Sequence, residues 1–209
     1  MQARTLFAIS AAATGAYVLL SDRVRHGKTK GFDAKARGVT RKVSSQRAEK
    51  LAEATGHIGK WYAHVPLALA GAGMLVRGKR PAAGSLVAAS SLVAASLSPI
   101  LDRVHRKRTP PPGKLRLDPL AQCYPSGHAL ETTAVAITSA YVLAREHLAP
   151  SAAVAPIAAL ASAVSGIGRL LVDRHWTTDA IAGYLAGIAL GCACAGAYEL
   201  ARPSARPSV

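Results

Sequence analysis

The chain has 209 residues, of which 50% are hydrophobic and only 5% aromatic. This length suffices for one domain, and the apolar residues occur in blocks that indicate a membrane protein. The formal net charge is +15, from 26 Lys and Arg residues against 11 Asp and Glu residues. Such an excess favours an anionic partner, which is a lipid surface, a phosphorylated substrate or a nucleic acid.

Two kinds of site receive little support from the sequence. Nothing in it matches a nucleic-acid-binding motif or alternates aromatic with basic residues, so we expect no nucleic-acid partner. Cys123, Cys192 and Cys194 provide neither a metal-ligand spacing nor a convincing disulfide pair. Cys192 and Cys194 lie in an apolar run, where cysteine packs as a small hydrophobic residue.

Six apolar runs predict an all-α fold in which six transmembrane helices form a single membrane-embedded domain over residues 1–209. The first run lies at the short end of what spans a bilayer, and a cleaved signal peptide is its alternative interpretation. We favour a membrane helix, because the run leads straight into a basic tract without a persuasive small-residue cleavage site. The predicted spans are residues 5–20, 61–76, 81–101, 129–144, 148–168 and 180–198.

The longer segments between these runs are polar and basic. Residues 21–60 carry eleven Lys and Arg residues and predict a polar loop. Within it, residues 46–55 have helix-forming composition and end at Gly56, which predicts a short helix lying on the lipid headgroups; a solvated basic loop explains the composition equally well. Residues 102–126 predict an extended loop, because three consecutive prolines at 110–112 exclude a helix.

Glycines repeat every four residues in the sixth apolar run. Gly183, Gly187 and Gly191 therefore share one face of the predicted helix. Because that face carries no side chains, a neighbouring helix can approach it closely. The pattern predicts helix packing and requires no functional explanation.

The residues that carry chemistry begin at the end of the fifth run. Arg169 provides a planar fork of donors that suits a cluster of anionic oxygens. His175 and Asp179 are four residues apart, a spacing that places a carboxylate beside an imidazole on a helix. The carboxylate can hold one ring nitrogen protonated, which leaves the other free to attack.

A second stretch, Pro125-Ser126-Gly127-His128, precedes the fourth run. Because it opens a predicted helix, its backbone N–H groups can face the same anion. The alternation of six spans brings His128 and His175 to one side of the membrane, although they are far apart in the chain. Together the two stretches predict a phosphate site with two histidines.

These motifs resemble those of the type 2 phosphatidic acid phosphatase superfamily, which includes lipid phosphate phosphatases, vanadium haloperoxidases and glucose-6-phosphatase. The family pattern consists of Lys-x6-Arg-Pro, Pro-Ser-Gly-His and Ser-Arg-x5-His-x3-Asp. In this chain the second motif is intact, and the third differs only in having Gly168 in place of the serine. The chain resembles the bacterial integral-membrane branch, which implies an all-helical membrane bundle.

The first motif is degenerate, since no register of Lys-x6-Arg-Pro fits residues 101–112 without a mismatch. Positive charge is nevertheless abundant in this loop. The resemblance implies that cations here bind phosphate, and the candidates are Arg103, Arg108 and Lys107. An alternative is that these residues only touch lipid headgroups after the third span.

The resemblance also implies a mechanism. His175 would attack phosphorus and form a phosphohistidine, while Asp179 would fix its tautomer and stabilise the developing charge. His128 would protonate the leaving oxygen and then activate water. The equatorial oxygens would be held by the loop cations together with Arg169, Ser126 and Gly127. No metal or other cofactor is implied, and the lack of a carboxylate cluster agrees with this, because Mg²⁺ sites usually need such oxygens.

The expected partner is a phosphorylated lipid in a membrane that also presents anionic lipids. Candidate substrates are phosphatidic acid, phosphatidylglycerophosphate, undecaprenyl diphosphate and a polyprenyl-phosphoryl sugar phosphate. Nothing in the sequence chooses among them or indicates an oligomeric state. Nineteen of the 26 Lys and Arg residues lie on the motif side. The positive-inside rule therefore predicts a site facing the cytoplasm of a bacterial inner membrane, although many relatives face outward.

Two other function classes remain. A vanadium haloperoxidase would use the same residues, but those relatives are soluble and six apolar spans argue against it. A non-catalytic protein that binds anionic lipid through a decayed phosphatase site is the stronger alternative, because the first motif is irregular. The intact His128, Arg169, His175 and Asp179 argue against decay.

Overall fold

The computed structural model describes residues 2–57, 59–105, 108–112 and 123–202, and every regular element in these ranges is a helix. The all-α prediction is therefore confirmed. Within these ranges the helices are α1 (Ala3–Arg25), α2 (Lys30–Val43), α3 (Gln46–Thr55), α4 (Trp61–Arg77), α5 (Pro81–Val104), α6 (Gly127–Arg145), α7 (Ser151–Leu171) and α8 (Thr177–Ala201).

Four of these helices, α1, α5, α7 and α8, are long and apolar enough to cross a membrane. Five of the six predicted apolar runs lie wholly inside helices, whereas the run at 148–168 begins before α7. The reason is Pro150, which takes the N-cap position of α7 in an extended conformation, so the helix begins one residue later. The fold thus supplies the helices that a membrane bundle needs.

The glycine face of α8 packs closely, as predicted. A Cβ atom added to Gly183 would lie 2.8 Å from the Cβ of Ala129, and one added to Gly187 would lie 2.7 Å from the Leu130 carbonyl oxygen. Both neighbours belong to α6. This close approach brings the first turns of α6 and α8 together at one end of the bundle, where the chemical motifs lie.

The structure corrects the prediction that residues 21–45 form a polar loop. Most of this segment is helical, since α1 extends to Arg25 and α2 covers Lys30–Val43. The side chain of Asp33 on α2 is only 1% exposed, because α2 packs across the N-terminus of α8. A basic segment therefore forms part of the scaffold of the site.

Helix α3 has the predicted bounds, residues 46–55. Ser45 caps its N-terminus, where its hydroxyl accepts a hydrogen bond from the Ala48 amide at 3.2 Å. The helix packs against α7, and the Ala52 carbonyl accepts a hydrogen bond from Arg169. Contact between α3 and lipid headgroups stays a prediction. One face of the helix packs against α7 and is not available to lipid.

A buried polar cluster joins α4, α5 and α6 beneath the motif end. Nε2 of His64 lies 2.7 Å from Glu131 Oε2, and Nδ1 of His64 lies 2.9 Å from the Ser91 hydroxyl. All three side chains are buried. His64 is thus a histidine with both ring nitrogens satisfied, and we assign it a structural role.

Candidate active site

His175 lies in the turn between α7 and α8, two residues before α8 begins. Its Nδ1 is 2.8 Å from the carbonyl oxygen of Cys123. A carbonyl oxygen can only accept, so Nδ1 carries the proton and Nε2 keeps its lone pair. The backbone thus fixes the tautomer that a nucleophilic histidine needs.

This arrangement leaves Asp179 without a direct hydrogen bond to His175. Its Oδ2 lies 3.9 Å from His175 Nδ1, too far for a hydrogen bond, because His175 precedes the helix on which an i, i+4 pair would meet. The fully buried carboxylate instead accepts a hydrogen bond from the Trp176 amide at 2.6 Å. Asp179 therefore caps α8 and holds the turn that carries His175.

Burial lowers the pKa of His175 to about 3, and the neighbouring His128, Arg169 and Arg174 lower it further while the Cys123 carbonyl opposes the shift. The imidazole is consequently neutral at physiological pH. A neutral imidazole with a free Nε2 is the form that attacks phosphorus.

His128 and Arg169 both contact the C-terminal end of α3. Nε2 of His128 lies 3.0 Å from the Gly56 carbonyl oxygen, and Arg169 donates to the Ala52 carbonyl. The Arg169 guanidinium lies so close to the Gly56 backbone that a Cβ atom on Gly56 would collide with it. The two side chains thus donate hydrogen bonds to backbone carbonyls of Ala52 in α3 and of Gly56, the C-cap of α3.

Ser126 and Gly127 form the floor of the site at the start of α6. The Ser126 side chain is fully buried, and its hydroxyl has no partner among the described residues. A Cβ atom at Gly127 would clash with the Ser98 hydroxyl of α5, so any larger residue here would displace that hydroxyl. The first-turn amides of α6 have no intrahelical acceptor. An orphaned hydroxyl beside free amides is suited to anionic oxygens.

The structure gives the predicted phosphate ligand Arg108 different partners. Its guanidinium contacts Asp33 Oδ2 at 2.5 Å and Asp179 Oδ1 at 3.0 Å, and donates to the Thr178 hydroxyl at 2.8 Å. These contacts hold the guanidinium between α2 and α8, and its role as a phosphate ligand stays a prediction. Arg103 is exposed, and Lys107 lies outside the described residues.

Three residues of α2 that the sequence analysis missed hold the turn before α8. Asp33 accepts hydrogen bonds from the Thr178 amide at 2.9 Å and from the Thr178 hydroxyl at 2.8 Å. Arg37 pairs with Asp173 at 3.0 Å, and Arg41 also contacts this carboxylate. The signal available in the sequence was the spacing of positions 33, 37 and 41, which places all three on one helix face.

The predicted site residues therefore converge only in part. His128, Ser126 and Gly127 from α6, Arg169 from α7, and His175 and Asp179 around the start of α8 lie at the same end of the bundle. Their elements are joined by a hydrogen bond from the Ser126 amide to the Asp179 carbonyl at 2.9 Å. Arg103 and Arg108 line a neighbouring cavity, and Arg108 is also paired with Asp33 and Asp179. The geometry can bind an anion beside a neutral histidine nucleophile.

Comparison with known proteins agrees with this geometry. Residues 61–202 match the model of the PAP2 superfamily. A solved structure, that of the first transmembrane PAP2 type phosphatidylglycerolphosphate phosphatase from Bacillus subtilis, superposes with a TM-score of 0.82 at 20% sequence identity. The superposition covers 93% of this chain and 98% of that one. No curated protein sequence shows significant similarity. The chain therefore belongs to the PAP2 superfamily, and it is an integral membrane protein with the fold of a PAP2-type phosphatase.

Proposed function

We propose that the protein hydrolyses a phosphate or diphosphate headgroup of a membrane lipid through a phosphohistidine, without a metal ion. The observation that carries this proposal is the state of His175. Its Nδ1 proton is held by the Cys123 carbonyl, its Nε2 is free, and its pKa is lowered to about 3. A histidine with only a structural role does not need a free nitrogen in an anion-binding pocket.

In the first step, Nε2 of His175 attacks phosphorus and the ester P–O bond breaks. His128 donates a proton to the leaving oxygen, and a bound phosphate dianion favours its protonated form. In the second step, His128 takes a proton from water, which attacks phosphorus and breaks the P–N bond. Inorganic phosphate leaves and His175 returns to its neutral form. Asp179 contributes a negative charge 3.9 Å from the transient imidazolium.

Phosphate binding requires donors that can reach the equatorial oxygens. Arg169, the orphaned hydroxyl of Ser126 and the amide of Gly127 supply them. The carbonyl oxygens of Ala52 and Gly56 accept the hydrogen bonds of Arg169 and His128 in the structure, and phosphate oxygens would replace these weaker acceptors. Arg103, Lys107 and Arg108 stay proposed ligands, and Arg108 is also paired with Asp179.

The proposed membrane arrangement has six spans, which adds α4 and α6 to the four longest apolar helices. All three motifs then lie on one side. The excess of basic residues on that side favours the cytoplasm, and α3 would lie at the lipid surface over the site. A polyprenyl-phosphoryl sugar phosphate on that face, phosphatidic acid, phosphatidylglycerophosphate and undecaprenyl diphosphate are the proposed substrate classes.

The test is phosphate release from these four lipids by the detergent-purified protein in EDTA. We expect release from at least one lipid, and its loss in His175→Ala by at least about 10³-fold. His147→Ala, at the opposite end of α6, is the matched control and should keep full activity. Release that requires an added divalent cation would contradict metal independence. Release from no lipid would favour the alternative, an anionic-lipid-binding protein whose phosphatase site has decayed.

A further inference from the structure

A cavity lies next to the turn of His175, and Trp176, the following residue, forms part of its wall. Its volume is about 1010 Å³, and its wall includes Arg25, Lys30, Arg103, Arg108 and Trp176. We call it the basic cavity. Small-molecule sites typically measure about 300–1,000 Å³, so the basic cavity is large enough for a lipid headgroup.

The charges of the basic cavity are unbalanced. Its one acidic lining residue, Asp33, is already paired with Arg108. Among the described residues, Arg25, Lys30 and Arg103 have no ion-pair partner. Three like charges around one cavity repel one another and attract an anion. The backbone adds to this attraction, because the N-terminus of α2 at Lys30 opens into the same space.

The position of the basic cavity at the ends of two membrane helices indicates which kind of anion it binds. Arg25 is the last residue of α1, and Arg103 lies in the last turn of α5; both helices are candidate membrane spans. The cavity therefore lies where spans end and lipid headgroups begin. The anions at this depth are the phosphates of lipid headgroups.

We propose that the basic cavity binds a second phosphate group of the substrate, distinct from the one that His175 attacks. This inference rests on the proposed function. Trp176 follows His175 directly and lines the cavity, and Arg108 connects the cavity to Asp179. A headgroup that reaches both His175 and the basic cavity carries two phosphates. The terminal phosphomonoester is the one that His175 attacks, and the internal phosphodiester is the one that the basic cavity binds. The preferred substrates are then lipids with two phosphates, in preference to phosphatidic acid.

The test compares kcat/KM on phosphatidylglycerophosphate, which has both phosphates, with kcat/KM on phosphatidic acid of the same acyl chains. The double variant Arg25→Gln/Lys30→Gln should lose about tenfold on the first lipid and less than about twofold on the second, as expected for two partly exposed charge contacts. The matched control is Arg23→Gln/Lys28→Gln, which removes two nearby charges that do not line the cavity. It should change neither value by more than about twofold.

A binding measurement separates this proposal from the proposed function. The protein contains two tryptophans, so Trp61→Phe leaves Trp176 as the fluorescent reporter. In the inactive His175→Ala background, soluble glycerophosphoglycerol should change the Trp176 emission saturably, and Arg25→Gln/Lys30→Gln should weaken this response. Neutral glycerol should have no effect.

Three outcomes would overturn the assignment. The first is an equal loss on both lipids, which would indicate general attraction to the membrane. The second is activation of phosphatidic acid hydrolysis by phosphatidylglycerol vesicles that disappears in the double variant, which would indicate a neighbouring lipid as the occupant. The third is unchanged kcat/KM on both lipids together with an unchanged Trp176 response. If no lipid is hydrolysed but glycerophosphoglycerol binds, the proposed function fails while the phosphodiester site stands.

Discussion

Asp33 is the residue whose removal should be most informative, because it links α2 to the turn that carries His175. Its carboxylate is 1% exposed and accepts hydrogen bonds from the Thr178 amide, the Thr178 hydroxyl and Arg108. Asp33→Ala leaves a buried guanidinium and a buried amide without this partner. Breaking a buried charge pair costs about 3–5 kcal/mol, which for a chain of this size lowers Tm by about 6–20 °C.

The effect on catalysis should appear mainly in kcat, because Asp33 binds Thr178 and Arg108 beside the turn that carries His175. Loosening the first turn of α8 displaces the segment that orients His175, and a displacement of about 1 Å can cost about 10²-fold in rate. Asp33→Asn keeps the size and one acceptor oxygen, so its cost should be smaller, about 1–3 kcal/mol. Combining Asp33→Asn with Thr178→Val should give less than the sum of the two effects, because the variants remove a shared contact.

The assays are the apparent Tm in detergent and steady-state phosphate release, measured on the same preparations. The control is Asp22→Asn, since Asp22 pairs with His26 on an exposed surface and its replacement should change stability by less than about 0.5 kcal/mol. An Asp33→Ala variant with the Tm and kcat of the unchanged protein would refute this reasoning. So would a loss confined to KM, which would indicate that Asp33 acts on substrate binding.

Three further predictions concern stability. The lowered pKa of His175 means that the unfolded chain binds a proton below about pH 6.5 while the folded protein does so only near pH 3, so the free energy of unfolding should fall as pH falls through this window. The Tm of His175→Gln should depend less on pH between 4 and 7; an identical dependence would contradict the assignment. Gly168→Ala should raise stability by up to about 1 kcal/mol, because its Cβ meets nothing closer than 3.5 Å. Gly166→Ala should destabilise instead, since its Cβ collides with Tyr184.

The sequence predicts those parts of the fold that depend on local pattern. Apolar runs identified the membrane helices, and the glycine spacing at 183, 187 and 191 identified the face of α8 that packs on α6. Composition and the stop at Gly56 also gave α3 its bounds. In each case the signal lies within about twenty residues, because burial in a membrane bundle selects apolar and small side chains directly.

Helix α2 was missed because its stability comes from distant residues. Its composition is that of a solvated basic segment, and its partner Thr178 lies 145 residues from Asp33 in the chain. The partner of His175 was misassigned for a related reason. The acceptor is a backbone carbonyl of Cys123, 52 residues away, and a backbone acceptor leaves no mark in the sequence. Motif spacing suggested Asp179 because it lies four residues after His175, a spacing that places two side chains together on a helix.

The charge pairs around α8 also explain why the first motif is irregular. In a Lys-x6-Arg-Pro segment, fixed spacing is needed if two cations must reach one phosphate. Here Arg108 pairs with Asp33 and Asp179, so α2 and α8 help to fix its position. We infer that this relaxes the spacing required between Arg103 and Arg108. Arg103 lines the basic cavity, where charge matters more than exact spacing, and in the proposed function Arg169 binds the phosphate that His175 attacks.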